Sequence, residues 1–250
     1  MKTVFITGAT SGIGEACAEK FAQNNYNLIL LARREEKLIQ LKNDLEKKYS
    51  ISIKIICADV RNYSDLEKKL TQLTDTKIDI LINNAGLSLG LGPIHEGDIS
   101  QWDTMIDTNV KGLLYVTRLI SPIMLKQNSG HIINISSIAG RETYANGNVY
   151  CATKHAVDSI SKAIRIDMLP YGIKVTNIAP GMVNTNFSLV RFNGDKNRAD
   201  SVYKGIEPLY AIDIAESVYF AGAQADNVNL NDIVITPKFQ ANATTSIRKE

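Results

Sequence analysis

Tyr150 and Lys154 stand four residues apart in the stretch NVYCATK. If that stretch is helical, the phenol and the ammonium share one face, one turn apart. A free phenol has a pKa of about 10, too high for ready proton exchange near neutrality. A positive charge beside it favours the phenolate. The pair therefore reads as a proton donor and acceptor with its tuner. Without partners elsewhere it reads as the start of an ordinary amphipathic helix, since HAVDSISKAIRIDML follows with apolar residues at helical spacing.

Other residues give the pair partners. Ser136 and Ser137 close the apolar run GHIINIS. A hydroxyl at the end of a buried strand can hydrogen-bond a substrate oxygen and hold it near the phenol. NNAG, from Asn83 to Gly86, closes another such run and places Asn83, Ala85 and Gly86 at the same edge. Asn109 interrupts a long helical pattern, where asparagine is a poor helix former, so a local kink or a bound water is expected there.

The first apolar run opens into TGATSGIG, with Gly8, Gly12 and Gly14 around Thr10, Ser11 and Ile13. Glycines let a backbone approach a pyrophosphate closely, and the following helix start supplies amide donors. The second run ends in LARRE. An adenosine 2′-hydroxyl calls for a carboxylate at that place, whereas Arg33 and Arg34 suit a 2′-phosphate. The expected cofactor is therefore NADP. The third run ends in CADV, where Asp59 and Val60 are expected at the adenine, a helix cap being the second reading of Asp59.

Seven short apolar runs must position these groups: TVFIT, NLILLA, SIKIICA, IDILINN, GHIINIS, IKVTNIA and DIVIT. They are nearly continuous in apolar residues, as strands buried on both faces are. Helical patterns alternate with them, which predicts an α/β fold with a parallel sheet covered on both sides. No linker or repeat divides the 250 residues, so one domain over 1–250 is expected. The polar stretch 184–208, with aromatic and aliphatic residues interspersed, is long enough to be a substrate lid. The polar tail 237–250 is expected to be mobile or to dock on a partner subunit.

Composition narrows the function. Charged residues are 22% and the net charge is +2 without a long basic run, so nucleic acid is not an expected partner. No apolar run approaches the ~20 residues of a membrane span. Cys17, Cys57 and Cys151 are scattered and odd in number, which reads as free thiols in a reducing, cytoplasmic setting. Neither they nor His95, His131 and His155 have metal-ligand spacing, so no metal is expected.

Taken together, TGATSGIG, NNAG, NVKG, the paired serines, YCATK and PGMVNT resemble the short-chain dehydrogenases/reductases over essentially the whole chain. The resemblance implies a single-domain Rossmann fold with a doubly wound, seven-stranded sheet. It implies Tyr150 as acid/base, Lys154 as its tuner and nicotinamide-ribose ligand, Ser137 as the substrate-orienting serine and Asn109 as the holder of a relay water. Pro180, Gly181, Val183 and Thr185 would cradle the nicotinamide amide. The stretch containing SLVRF is further similar to the NADP-dependent 3-hydroxy acid dehydrogenases of that family, which implies short 3-hydroxy acid substrates and a homotetramer. A broad carbonyl or 3-oxoacyl reductase, and an NADP-sensing regulatory protein, are the alternatives. A substrate carboxylate would need a cation, and Arg141 and Arg191 are the candidates.

Overall fold

The computed structural model describes residues 1–73 and 75–249; the last residue of the expected tail, Glu250, lies outside them. All seven apolar runs are strands: β1 (Thr3–Thr7), β2 (Asn27–Ala32), β3 (Ile53–Cys57), β4 (Ile80–Asn83), β5 (Gly130–Ile135), β6 (Ile173–Pro180) and, after the short pair β7 (Val183–Asn184) and β8 (Leu209–Tyr210), β9 (Asp232–Ile235). The sheet runs β3-β2-β1-β4-β5-β6-β9 and every pairing in it is parallel. The strand order reverses between β1 and β4, so the crevice for a ligand opens beyond their carboxyl ends.

Burial follows the side-chain alternation of the strands. Val4, Ile6, Leu28, Leu30, Ile80 and Ile82 face α1 (Gly12–Gln23), α2 (Glu35–Lys48) and α9 (Ala211–Gly222), packing with Phe21, Leu38 and Val218. Phe5, Ile29, Leu31, Leu81 and Ile132 face the other way. They meet α3 (Tyr63–Leu70), α5 (Leu113–Gln127) and α6 (Asn148–Met168) through Leu66, Val116, Ile120 and Ile164. Each fully buried side chain of this size stabilises the fold by roughly 1.5–3 kcal/mol, which is why the strands must be apolar on both faces.

The long helical pattern around Asn109 is not one regular helix. α4 (Ile99–Ile106) passes through a π turn, Asp107–Gly112, into α5. The expected irregularity is therefore present, as a widened turn rather than a sharp bend.

Segment 184–208 contains α7 (Phe187–Arg191) and α8 (Lys196–Ser201). The Tyr203 hydroxyl pins them, bonding Ser188 Oγ at 2.8 Å and donating to the Val183 carbonyl at 2.8 Å. The described residues of the tail 237–250 make contacts within their own chain, with Arg248 donating to the carbonyls of Lys204 and Val202, and Lys249 N–H to that of Gly205. Gln240 Oε1 accepts from Met182 N–H at 2.9 Å. The tail had no sequence periodicity to announce this docking, because its partners are mostly main-chain groups.

Candidate active site

One cavity of about 720 Å³ lies over the carboxyl ends of the strands. Its walls include Gly8, Thr10, Ser11, Gly12 and Ile13 at the first turn, and Arg33, Arg34, Asp59 and Val60 at the ends of β2 and β3. Ala85, Gly86, Ser137, Tyr150 and Lys154 line its other end with Pro180, Gly181, Val183 and Thr185. The structure thus brings most of the residues singled out in the sequence to one edge.

The first turn is shaped for close approach. Gly8 and Gly12 have φ of +65° and +56°, which side-chain-bearing residues rarely adopt. Gly14 does not line the cavity; a Cβ there would strike the Gly8 carbonyl and the Asn84 amide, so its role is helix-to-strand packing. Ser11 stands extended at the N-cap of α1 without a side-chain cap bond, so its hydroxyl leaves the first-turn amides without a side-chain acceptor. Such donors, with two arginines at the neighbouring strand end, fit the pyrophosphate and 2′-phosphate of NADP. Arg34 is already oriented, its Nη2 donating to Thr10 Oγ1 at 3.1 Å and to the Thr10 carbonyl at 3.2 Å.

Three expectations change. Asn83 is not at the cavity: it is buried and donates to Thr117 Oγ1 and Asn134 Oδ1, both at 2.9 Å. Asn84, one residue beyond the strand, faces the cavity instead and ties the first turn by donating to the Thr7 and Gly8 carbonyls. Asp59 does not cap α3, since Asn62 does so by accepting from Asp65 N–H. Asp59 instead accepts from the Arg61 guanidinium. Burial would raise its pKa, but the Arg61 bonds and charge hold it below the usual carboxylate range. Arg141 does not line the cavity either. It pairs with Asp232 at 2.7 Å and approaches Asp158 at 3.8 Å, carried away from Ser137 by the 3-10 turn Ile138–Gly140.

The proton-handling groups come together at the other end. Tyr150 is 8% exposed, in the first turn of α6. Burial pushes its phenol above the ordinary value, while the Arg191 guanidinium and the nearby Ser137 hydroxyl pull it back. Lys154 is 6% exposed, its ammonium donates to the Ile135 carbonyl at 2.9 Å, and burial lowers it to about 8. Its Nζ is 6.0 Å from the centre of the Tyr150 ring. Ser137 Oγ accepts from Ala139 N–H at 3.1 Å and donates to the Pro180 carbonyl at 3.3 Å, which fixes its direction. Ser136 is buried and donates to the Lys154 carbonyl.

Asn109 connects the π turn to this centre. Its Oδ1 accepts from Leu87 N–H, and its Nδ2 donates to the Leu87 carbonyl and to Thr153 Oγ1 on α6. A Cβ added at Gly86 would lie 3.3 Å from Asn109 Oδ1 and 3.6 Å from Lys154 Nζ, so that glycine leaves the space between them clear.

Several lining residues escaped the sequence reading. Phe187 stacks edge-on against Tyr150, with ring centres 5.6 Å apart, and Tyr144 stands beside both at the cavity wall. The tail contributes Asn242, Thr244 and Ser246. The only signal for Tyr144 and Phe187 was an aromatic near the catalytic motif or in the lid, which spacing alone does not separate from core.

Known proteins resemble this chain in sequence and fold. A model described as short chain dehydrogenase matches residues 2–194. The NADP-dependent 3-hydroxy acid dehydrogenase YdfG of Escherichia coli O6:H1 is 42% identical over 250 residues, covering 99% of each chain. The NADP-dependent 3-hydroxy acid dehydrogenase of Schizosaccharomyces pombe is 41% identical over 252 residues, covering 100% of this chain and 97% of its own. A closed form of serine dehydrogenase complexed with NADP+ superposes with a TM-score of 0.91 at 41% identity, covering 99% of this chain and all of that one. With the glycine turn, the Ser137–Tyr150–Lys154 centre and the parallel sheet all in place, the chain belongs to the short-chain dehydrogenase family.

Proposed function

We propose that the protein is an NADP-dependent dehydrogenase of short 3-hydroxy acids, of the serine, allo-threonine and 3-hydroxybutyrate type. One observation carries the reading: a single cavity sets paired arginines at one end and, at the other, Ser137 with the buried Tyr150 and Lys154. The full-length likeness to proteins named for 3-hydroxy acid and serine oxidation supports the substrate class.

NADP supplies the hydride chemistry when bound. The chain supplies orientation and proton movement. In the oxidation direction the Tyr150 oxygen takes the proton of the substrate hydroxyl, while the Ser137 hydroxyl turns from the Pro180 carbonyl to donate to the substrate oxygen and hold it in place. Lys154 adds positive charge on the far side of the phenol and favours its ionised form. Asn109 holds Leu87 against α6, and the main-chain carbonyls loosened by the π turn are where a relay water would sit. Arg33 and Arg34 select the 2′-phosphate, and 180–185 lies where the nicotinamide amide would be held. Exposed Ile106 on α4, Leu114 on α5, Ile166 on α6 and Leu169 just beyond it support self-association, in line with the homotetramer that the resemblance implies.

The test is NADP reduction followed by absorbance with L-serine, L-allo-threonine, 3-hydroxybutyrate and uncharged secondary alcohols. Turnover of the acids with NADP, and little with NAD, is expected. Turnover confined to uncharged carbonyls or alcohols would replace this reading with a general carbonyl reductase. No turnover in either direction with any of them, despite NADP binding, would favour a sensing protein.

A further inference from the structure

A substrate that is oxidised at C3 and carries a carboxylate at C1 brings an anion within one carbon of the reacting centre. Water is scarce there, and a buried anion without a cation is costly. The cations lining the cavity are Arg33, Arg34, Lys154, Arg191 and Arg248. Arg33 and Arg34 sit at the far end, beside Thr10. Lys154 points its ammonium at the Ile135 carbonyl. Arg248 is spent on the Lys204 and Val202 carbonyls, at 2.6 and 3.0 Å. Arg191 is left.

Arg191 closes helix α7, and it is held rather than free. Its Nε donates to Ser88 Oγ at 3.1 Å and its Nη2 to the Tyr144 hydroxyl at 3.0 Å. Its main-chain carbonyl accepts from Gly90 N–H at 2.9 Å, which fastens the end of α7 to the loop after β4. Ser88 is 1% exposed. Tyr144 is itself wedged in place, since a Cβ at Gly147 would collide with its ring. The guanidinium sits beside two rings, its Cζ 5.2 Å from the centres of both Tyr150 and Phe187. Two neutral hydroxyls take two of its N–H groups. Among the described residues Nη1 has no hydrogen-bond partner, and no carboxylate pairs with this arginine. A half-buried cation with neutral partners only, beside the acid/base, is an anion site already oriented.

We propose that Arg191, positioned by Ser88 and Tyr144, binds the substrate carboxylate and thereby sets which carbon faces the nicotinamide. The proposal rests on the reading of the protein as a 3-hydroxy acid dehydrogenase. It adds the residue that makes the acid, and not the alcohol, the preferred substrate. Because Arg191 belongs to α7 within 184–208, the same contact fastens that segment over a bound acid.

The experiment compares kcat/KM for 3-hydroxybutyrate and for its methyl ester in wild type, Arg191→Ala, Arg191→Lys and Tyr144→Phe, with NADPH binding measured by fluorescence in each. Wild type is expected to prefer the acid. Arg191→Ala should raise KM for the acid by about 10- to 100-fold, the worth of hydrogen bonds to a charged group, with the ester changed far less. Arg191→Lys should recover part of the preference, and Tyr144→Phe should lower it by a smaller factor. An unchanged acid-to-ester ratio in Arg191→Ala would overturn the assignment while leaving the substrate class intact. An equal loss on acid and ester, with NADPH binding kept, would also overturn it and confine Arg191 to the fold or to the Tyr150 phenol. Absence of acid turnover in wild type would instead remove the functional reading on which the proposal stands.

Discussion

The Arg191 guanidinium lies 5.2 Å from the centre of the Tyr150 ring, closer than the Lys154 ammonium at 6.0 Å. Two cations from different parts of the chain therefore face one buried phenol, one from its own helix and one from the segment that covers the site. Burial raises the phenol, and Tyr144 and Cys151 beside it act in the same direction. The Arg191 charge opposes this, and so does a hydrogen bond from Ser137. Oxidation needs the phenolate, so the acidic limb of its pH profile reports this balance. Removing Arg191 takes away charge that favours the ionised form. In Arg191→Ala the acidic limb of kcat/KM for an uncharged alcohol should move to higher pH by roughly one unit, a modest case of a charge at this distance. An uncharged substrate keeps carboxylate binding out of the measurement. A limb that stays in place would show that Lys154 alone sets the phenol.

Tyr150 itself is tested by deleting one atom. Phenylalanine keeps the ring and its edge-on contact with Phe187. In Tyr150→Phe, kcat should fall by at least the ~10²–10⁴-fold attributed to acid–base catalysis. NADPH should still bind, because the arginines and the glycine turn are untouched. Near wild-type kcat would remove Tyr150 from the mechanism.

Cofactor choice rests on the end of β2. Arg34 is braced by Thr10, and both arginines are exposed to the cavity mouth without a carboxylate at that strand end. Replacing both with alanine should raise KM for NADPH by about 10- to 100-fold and leave KM for NADH within a few-fold. The measurement is kcat/KM for the two cofactors in wild type and the double variant. Equal losses for both would place the arginines at the shared part of the dinucleotide.

The sheet was legible because its strands are buried on both faces and so carry no alternation to misread. Tyr150 and Lys154 were legible because their relation is local, one helical turn. Asn83 and Asn84 show where this ends. They are adjacent, and only the end of β4 decides that the first turns inward to Asn134 and the second outward to Gly8. Arg141 follows Ser137 closely in sequence, yet a single 3-10 turn sends it to Asp232. The partners of Arg191 are the hardest case. Ser88 and Tyr144 come from loops 103 and 47 residues away, and no spacing rule joins them. Local chemistry was readable, while the groups that select the substrate depend on where loops from distant segments meet.

Lys154 makes a prediction about stability as well as rate. Its side chain is buried, and the lost hydration of its charge lowers its pKa from 10.5 to about 8. The unfolded chain keeps the ordinary value. Below about 8 both states are protonated, and the folded protein carries the full cost of the buried charge. Between about 8 and 10.5 the unfolded state binds more protons, so stability rises with pH. Above that window both forms are neutral and the cost is gone. A shift of this size corresponds to about 3 kcal/mol, at 1.36 kcal/mol per unit. Lys154→Met keeps an apolar stem and has nothing to titrate. Without cofactor, the stability of wild type relative to Lys154→Met, from urea unfolding, should therefore increase by about 3 kcal/mol as pH rises through the window. The difference between the two proteins cancels the tyrosines and other lysines that titrate in both. A difference that stays flat would mean that the bond to the Ile135 carbonyl compensates the ammonium for its lost water. Lys154 would then remain fully charged wherever the enzyme works.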